Sequence, residues 1–232
     1  LSTAFKKITK KNNKLYISIE TKEGQTSEIS CDKVLISIGR KPYTFGLNLD
    51  EAGVQTDSKG FIITKDNFQT SAENIFAIGD CKLGPMLAHK ASEEGTALAE
   101  IIVGQVAHVN FDTIPSVVYT APEVASVGKT EEELKSLGLK YKVGKFPFTA
   151  NAKAKVMHET LGFVKILSDA NSDKVLGVHM IGPDVGNMIA ELALAMEFGA
   201  SSEDIARALV SVRSPAIFAA PRLSPTVNKP TF

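Results

Sequence analysis

Asn74 to Gly95 reads NIFAIGDCKLGPMLAHKASEEG, and its reading decides the fold. The apolar run Ile75-Phe76-Ala77-Ile78 has the length and flanks of a strand buried on both faces. Gly79 and Asp80 end it, a Lys-Leu-Gly-Pro turn follows, and from about Met86 the residues Ala88, Ala91, Gly95, Leu98 and Ile102 recur on one helical stripe. The unit is strand, Gly-Asp tip, turn, helix. At such a junction α/β proteins hold ligands. The helix start offers unpaired N–H groups and a positive dipole end to an anion, the glycine lets a ligand approach the backbone, and an aspartate can accept from hydroxyls. The same pattern also suits an ordinary strand-loop-helix whose aspartate only caps the loop.

Working outward toward the amino end, Lys14 to Glu20 alternates Leu15, Ile17 and Ile19 with polar residues, a half-buried strand. Lys22 to Gln25 is a hairpin turn, and Glu28 to Cys31 is the returning strand. The continuous run Lys33 to Ile38 (KVLISI) reads as a central strand ending at Gly39-Arg40-Lys41-Pro42, a turn. From Pro42 to Gly60 the chain is linker-like with Leu47 and Leu49 as anchors, and Phe61 to Ile63 is another short strand.

Beyond Gly104 the pattern changes. Short strands are expected at 115–119, 124–127, 141–148, 162–167 and 175–181. Thr130 to Glu133 forms a capping box opening a helix that Gly138 closes, and the acidic run 131–133 is a solvated helix start complementing the dipole. Val185, Met188, Ile189, Leu192, Met196 and Gly199 mark an amphipathic helix, and Ser201 with Asp204 begins another. An antiparallel sheet with helices gathered at one end is an α+β layer, so a domain boundary is expected near Asn110.

Composition sets limits. The 232 residues carry 26 Lys plus Arg against 26 Asp plus Glu, giving no net pull toward nucleic acid or an anionic membrane. No run approaches the apolar length of a membrane span. Cys31 and Cys81 are too few and too far apart for a disulfide framework or a metal site. The chain opens on Leu1 rather than Met, which suggests that it begins partway through a longer protein.

Several of these segments resemble one family. FAIGD followed by GPMLAHKASEEG is similar to the flavin-contacting segment of the pyridine nucleotide-disulfide oxidoreductases, in the wording of their dihydrolipoyl dehydrogenase branch. PSVVYTAPEVASVG, KVGKFPF, GFVKIL and GVHMIGPDVG resemble the family's dimerisation domain, and the resemblance covers residues 1 to about 207. It implies α/β plus α+β architecture: a remnant of three-layer FAD- and NAD-binding domains followed by an α+β dimerisation domain. The implied division is 1–42 as the end of the NAD domain, 43–110 as the central and FAD segment, 111–207 as the dimerisation domain and 208–232 as an atypical tail.

The resemblance also implies roles. Asp80, beside Gly79, would bond the ribityl chain of FAD; Met86, Leu87, Ala88 and His89 would turn backbone N–H groups to the flavin's pyrimidine edge; Gly39 would lie near the nicotinamide of NAD. It further implies a homodimer, since each active site of the family is completed by the partner subunit. The activity implied is oxidation of dihydrolipoamide with NAD through FAD, on 2-oxo acid dehydrogenase complexes, in a mitochondrial matrix or bacterial cytoplasm. Glutathione or mercuric reductase activity and a non-catalytic dimerising fragment are the alternatives.

Two departures stand out. No two glycines are separated by a single residue, so no Gly-x-Gly-x-x-Gly phosphate loop occurs, and the family's spaced cysteine pair is missing. Where the family carries His-x-His-Pro and a glutamate, this chain reads Ala208 to Phe218 with no histidine after His179, and Pro215, Pro221, Pro225 and Pro230 would break a helix. No catalytic residue is therefore assigned, the tail is expected to be foreign to the family, and the chain by itself is expected not to turn over. Of the histidines, His89 is expected to contribute backbone, His179 a structural role, and His108 and His158 fall in loop-like sequence.

Overall fold

A computed structural model describes residues 2–208. These fall into two compact units that meet in sequence at Leu87 and Ala88.

The first unit begins with a three-stranded antiparallel meander, β1 (Thr3–Lys11), β2 (Lys14–Thr21) and β3 (Thr26–Cys31), in that spatial order. The central strand matches the alternation of Leu15, Ile17 and Ile19, which pair across to Cys31, Ile29 and Ser27. At the hairpin, Gly24 donates to the Thr21 carbonyl at 3.0 Å. Strand β1 has no counterpart in the sequence reading, because only Ala4, Phe5 and Ile8 break its Lys- and Thr-rich run.

Residues 33–38 depart from expectation. They form no strand, and Leu35, Ile36 and Ile38 are 89, 70 and 84 % exposed. A central parallel strand needs a neighbour on each edge for its N–H and C=O groups, and among the described residues none pairs with this segment. The expected strands at 61–63 and 75–78 likewise shrink to isolated bridges: Ile62 to Thr56 and Lys82, and Phe76 to Gln69. Around these bridges a small core gathers Val54, Ile62 and Ala77, with Leu49 packed on it. Leu47, expected as a second anchor, is exposed instead. Lys82 lies over the Phe68 ring at 5.4 Å, so its apolar stem is buried.

The second unit starts with helix α1 (Ala88–Ile102). Its buried line runs through Lys90, Glu94 and Ala97 rather than along the expected stripe, since Ala88 and Ile102 are exposed. The rest is a five-stranded antiparallel sheet, β4 (Ser116–Val118), β5 (Glu123–Gly128), β6 (Tyr141–Pro147), β7 (Phe163–Asp169) and β8 (Val175–Gly182), ordered β4-β5-β8-β7-β6. Helix α2 (Glu131–Ser136) carries the expected capping box, with Thr130 Oγ1 accepting from the Glu133 N–H and the Glu133 carboxylate accepting from the Thr130 N–H. A five-residue helix, α3 (Ala152–Val156), is capped by the Asn151 side chain.

Helix α4 (Val185–Glu197) lays Val185, Met188, Ile189, Leu192 and Met196 into the main core with Ala125, Val127, Val178 and Met180 of the sheet. Those five helical positions recur at spacings of three and four residues on one face, as the sequence stripe requires. Helix α5 (Ser202–Arg207) closes the described chain, with Ser201 and Asp204 forming a second capping box. Apart from Ala208, the expected tail at 208–232 lies outside the described residues. No described helix is long and apolar enough to cross a membrane.

Candidate functional site

In the first unit, the backbone is extended at Ile78 and then reverses at Gly79, which is buried with φ +71°. That left-handed value is one a side chain would resist, so the glycine is what permits the turn. Gly79, Asp80 and Cys81 form a single 3-10 turn, closed by the Lys82 N–H on the Gly79 carbonyl at 3.4 Å. Cys81 Sγ lies 3.1 Å from the Ile78 carbonyl and is a free thiol. The turn leaves Asp80 half-buried, its side chain 35 % exposed.

Arg40 meets it. Nη2 of the guanidinium is hydrogen-bonded and ion-paired to Asp80 Oδ2, while Nη1 lies 3.5 Å from the Met86 carbonyl. One planar fork thus joins the Gly-Asp tip to the segment leading toward α1. Gly39, immediately before it, has φ +101° and nothing within 4 Å of where a Cβ would stand. Of the residues singled out in the sequence, Gly39, Asp80 and Met86 are therefore brought together through Arg40. Sequence reasoning placed Arg40 in a turn and missed this. The available signal was a pair of cations, Arg40 and Lys41, after an apolar run, with an aspartate at a second such tip.

The remaining positions are placed differently. The Leu87 N–H donates to the Pro85 carbonyl at 3.0 Å, so that amide is engaged within its own turn. Ala88 and His89 open α1 in the second unit, where the first helical turn leaves N–H groups without intrahelical acceptors. No acidic side chain lies in that turn, so its dipole end keeps its positive character toward an anion. The His89 ring contacts the Pro115 carbonyl through Nε2 at 3.0 Å, and His179 contacts the Lys129 carbonyl at 3.0 Å, a structural role.

The acidic run of α2 is more engaged than expected. Glu131 accepts from Lys165 Nζ at 2.9 Å and from the Tyr141 hydroxyl at 3.2 Å. The Lys165 hydrogen bond, chiefly, holds its carboxyl below the usual carboxylate range. No group of three or more His, Cys, Asp or Glu side chains among the described residues is arranged to hold a metal.

Comparison with known proteins converges on one family. The family model described as pyridine nucleotide-disulphide oxidoreductase matches residues 1–95, and its dimerisation domain matches 114–224. The chain belongs to the pyridine nucleotide-disulphide oxidoreductase family. Dihydrolipoyl dehydrogenase of Trypanosoma brucei brucei is 52 % identical over 194 residues, 83 % of this chain and 40 % of that protein. The mitochondrial dihydrolipoyl dehydrogenase of Homo sapiens is 51 % identical over 209 residues, 89 % of this chain and 41 % of that one. The chain thus spans about two fifths of the length of these curated relatives.

Among solved structures, LpdA of Mycobacterium tuberculosis superimposes with a TM-score of 0.82 at 25 % identity, covering 94 % of this chain and 48 % of that one. The HOCl-induced flavoprotein disulfide reductase RclA of Escherichia coli, with a TM-score of 0.80 at 23 % identity over 92 % of this chain and 48 % of its own, shares the fold. The dimerisation match runs past residue 208, into the segment that the sequence reading set apart.

The arrangement around Asp80 fits the cofactor class that the family implies. A ribityl chain presents hydroxyls, which need an acceptor held at a fixed place; Asp80 supplies a carboxylate whose Oδ2 is anchored by Arg40.

Proposed function

We propose that this chain supplies the flavin-contacting tip, one edge of the NAD site and the dimer surface of an FAD-dependent, NAD-linked disulfide oxidoreductase that oxidises dihydrolipoamide. The observation that carries this reading is identity of about one half to dihydrolipoyl dehydrogenases across most of the chain. The domain division proposed is 1–42, 43–110, 111–207 and 208–232, and the assembly a homodimer docked on 2-oxo acid dehydrogenase complexes. Mitochondrial relatives support a mitochondrial matrix location.

Bound FAD supplies the chemistry of passing an electron pair from a dithiol to NAD. The roles of this chain's own residues are narrower. Asp80 accepts from ligand hydroxyls and fixes their order along the tip. Backbone N–H groups among Met86 to His89 favour an anionic ring edge, and fixed dipoles of that kind need no reorganisation as charge develops. Gly39, lacking a side chain, leaves room for a nicotinamide ring to approach the backbone.

The 232 residues include neither the family's spaced cysteine pair nor its His-x-His-Pro base. On their own they are proposed to bind partners without turnover, which keeps the dimerising-fragment reading as the second one.

The test is to purify the full-length protein natively and read its visible spectrum, then assay dihydrolipoamide oxidation with NAD beside glutathione and mercuric ion as competing substrates. A yellow protein with one FAD per subunit and preference for dihydrolipoamide is expected. A colourless protein that takes up no FAD overturns the flavin reading. Preference for glutathione or mercuric ion overturns the substrate. Turnover by the 232-residue chain alone overturns the assignment of no catalytic residue.

A further inference from the structure

We propose that Arg40 is a positioning residue for the cofactor, acting through Asp80; this rests on the flavin reading above. Three observations support it. The guanidinium takes Oδ2 of Asp80 and reaches the Met86 carbonyl at 3.5 Å, so one side chain registers two segments 40 and 46 residues away in sequence. Arg40 is 67 % exposed and its partner Asp80 half-buried, and a pair this open to solvent adds little to stability. Gly39 beside it has an open, left-handed backbone with nothing within 4 Å of a Cβ position, so no packing constrains the chain at Gly39 itself.

Holding one carboxylate oxygen limits rotation of the group and leaves the other oxygen to accept from a ligand hydroxyl. The fork geometry matters as well as the charge. A lysine ammonium is a point charge that cannot span Asp80 and the Met86 carbonyl together.

The experiment uses the full-length protein, stripped of flavin and titrated with FAD, with flavin fluorescence and the visible band as readouts. The variants are Asp80→Asn, Arg40→Gln, Arg40→Lys and the double Arg40→Gln/Asp80→Asn. Expected are about tenfold weaker FAD binding for Arg40→Gln, no rescue by lysine, and a double variant no weaker than Asp80→Asn, because a charged hydrogen bond of this kind is lost once. A visible band displaced in Arg40→Gln relative to wild type marks altered placement rather than altered folding.

Wild-type FAD binding by both Arg40 variants, with Asp80→Asn weakened, overturns the role of Arg40 and leaves the flavin reading standing. Wild-type FAD binding by Asp80→Asn overturns the role given to Asp80 and with it the action of Arg40 through Asp80, whereas failure of the wild-type protein to take up FAD overturns the flavin reading itself. Additive losses in the double variant overturn action through Asp80. If Arg40→Gln does not fold, Arg40→Lys carries the test: weakened binding supports the fork, unchanged binding overturns it.

Discussion

Lys90 and Glu94 lie one helical turn apart on α1, Nζ 3.2 Å from Oε1, and both side chains are essentially out of contact with solvent. Two opposite charges buried together attract strongly but have each lost hydration, so the pair itself contributes modestly. Removing one partner takes a counter-charge from the buried group of the other. Lys90→Ala or Glu94→Ala in the full-length protein is expected to cost about 3–5 kcal/mol, read as a lower urea midpoint. The Lys90→Met/Glu94→Leu double should lose less than either single. Additive losses would show that the two charges act separately.

Gly162 immediately precedes β7 at φ +113°, and a Cβ there would stand 1.8 Å from the Ile181 carbonyl oxygen. Neither the backbone angle nor the strand pairing of Phe163 with Ile181 can give way without disturbing the β7–β8 ladder. Gly162→Ala is expected to destabilise the second unit by about 2–4 kcal/mol, seen as a lower melting temperature. A melt equal to wild type would mean that the strand start relaxes freely.

What the sequence disclosed follows the range of the interactions. The Thr130–Glu133 and Ser201–Asp204 boxes close within three residues, and the α4 stripe needs only one neighbouring sheet, so all were legible. Strand β1 and helix α3 carry weak patterns and were not. On α1, a buried Lys90–Glu94 pair defeats an apolar-stripe rule, which assigns charges to solvent. At the candidate site, Gly79, Asp80 and Met86 were marked by family wording, whereas Arg40 lies 40 residues from Asp80 and no local signal joins them.

Apolar run 33–38 makes a separate prediction. Its Leu35, Ile36 and Ile38 are exposed, yet its β-branched pattern suits a strand covered on both edges. In the 232-residue polypeptide, amides 34–38 are expected to exchange with solvent at nearly the unprotected rate, and in the full-length protein to be protected. Lysine in place of Ile36 should lessen aggregation of the shorter polypeptide. Protection of those amides in the 232-residue polypeptide would mean that they find partners within it.

Glu131 and Glu133 give the second unit a pH dependence with a definite sign. Glu131 is lowered chiefly by the Lys165 hydrogen bond and Glu133 chiefly by the Thr130 N–H, each from 4.5. A carboxyl whose folded pKa is depressed binds fewer protons than its unfolded counterpart, so it contributes stability above the unfolded value and loses it as pH falls through the folded one. Unfolding midpoints should therefore be flat from about pH 7 to 5 with respect to these two groups and decline below about 4.5. Glu131→Gln should be less stable than wild type at pH 7, with the gap closing toward pH 2, where both carry a neutral side chain. Thr130→Ala should cost about 1 kcal/mol at pH 7 and flatten the part of the decline owed to Glu133. A Glu131→Gln gap that stays constant from pH 7 to 2 would place the effect in packing against Tyr141 rather than in the charge.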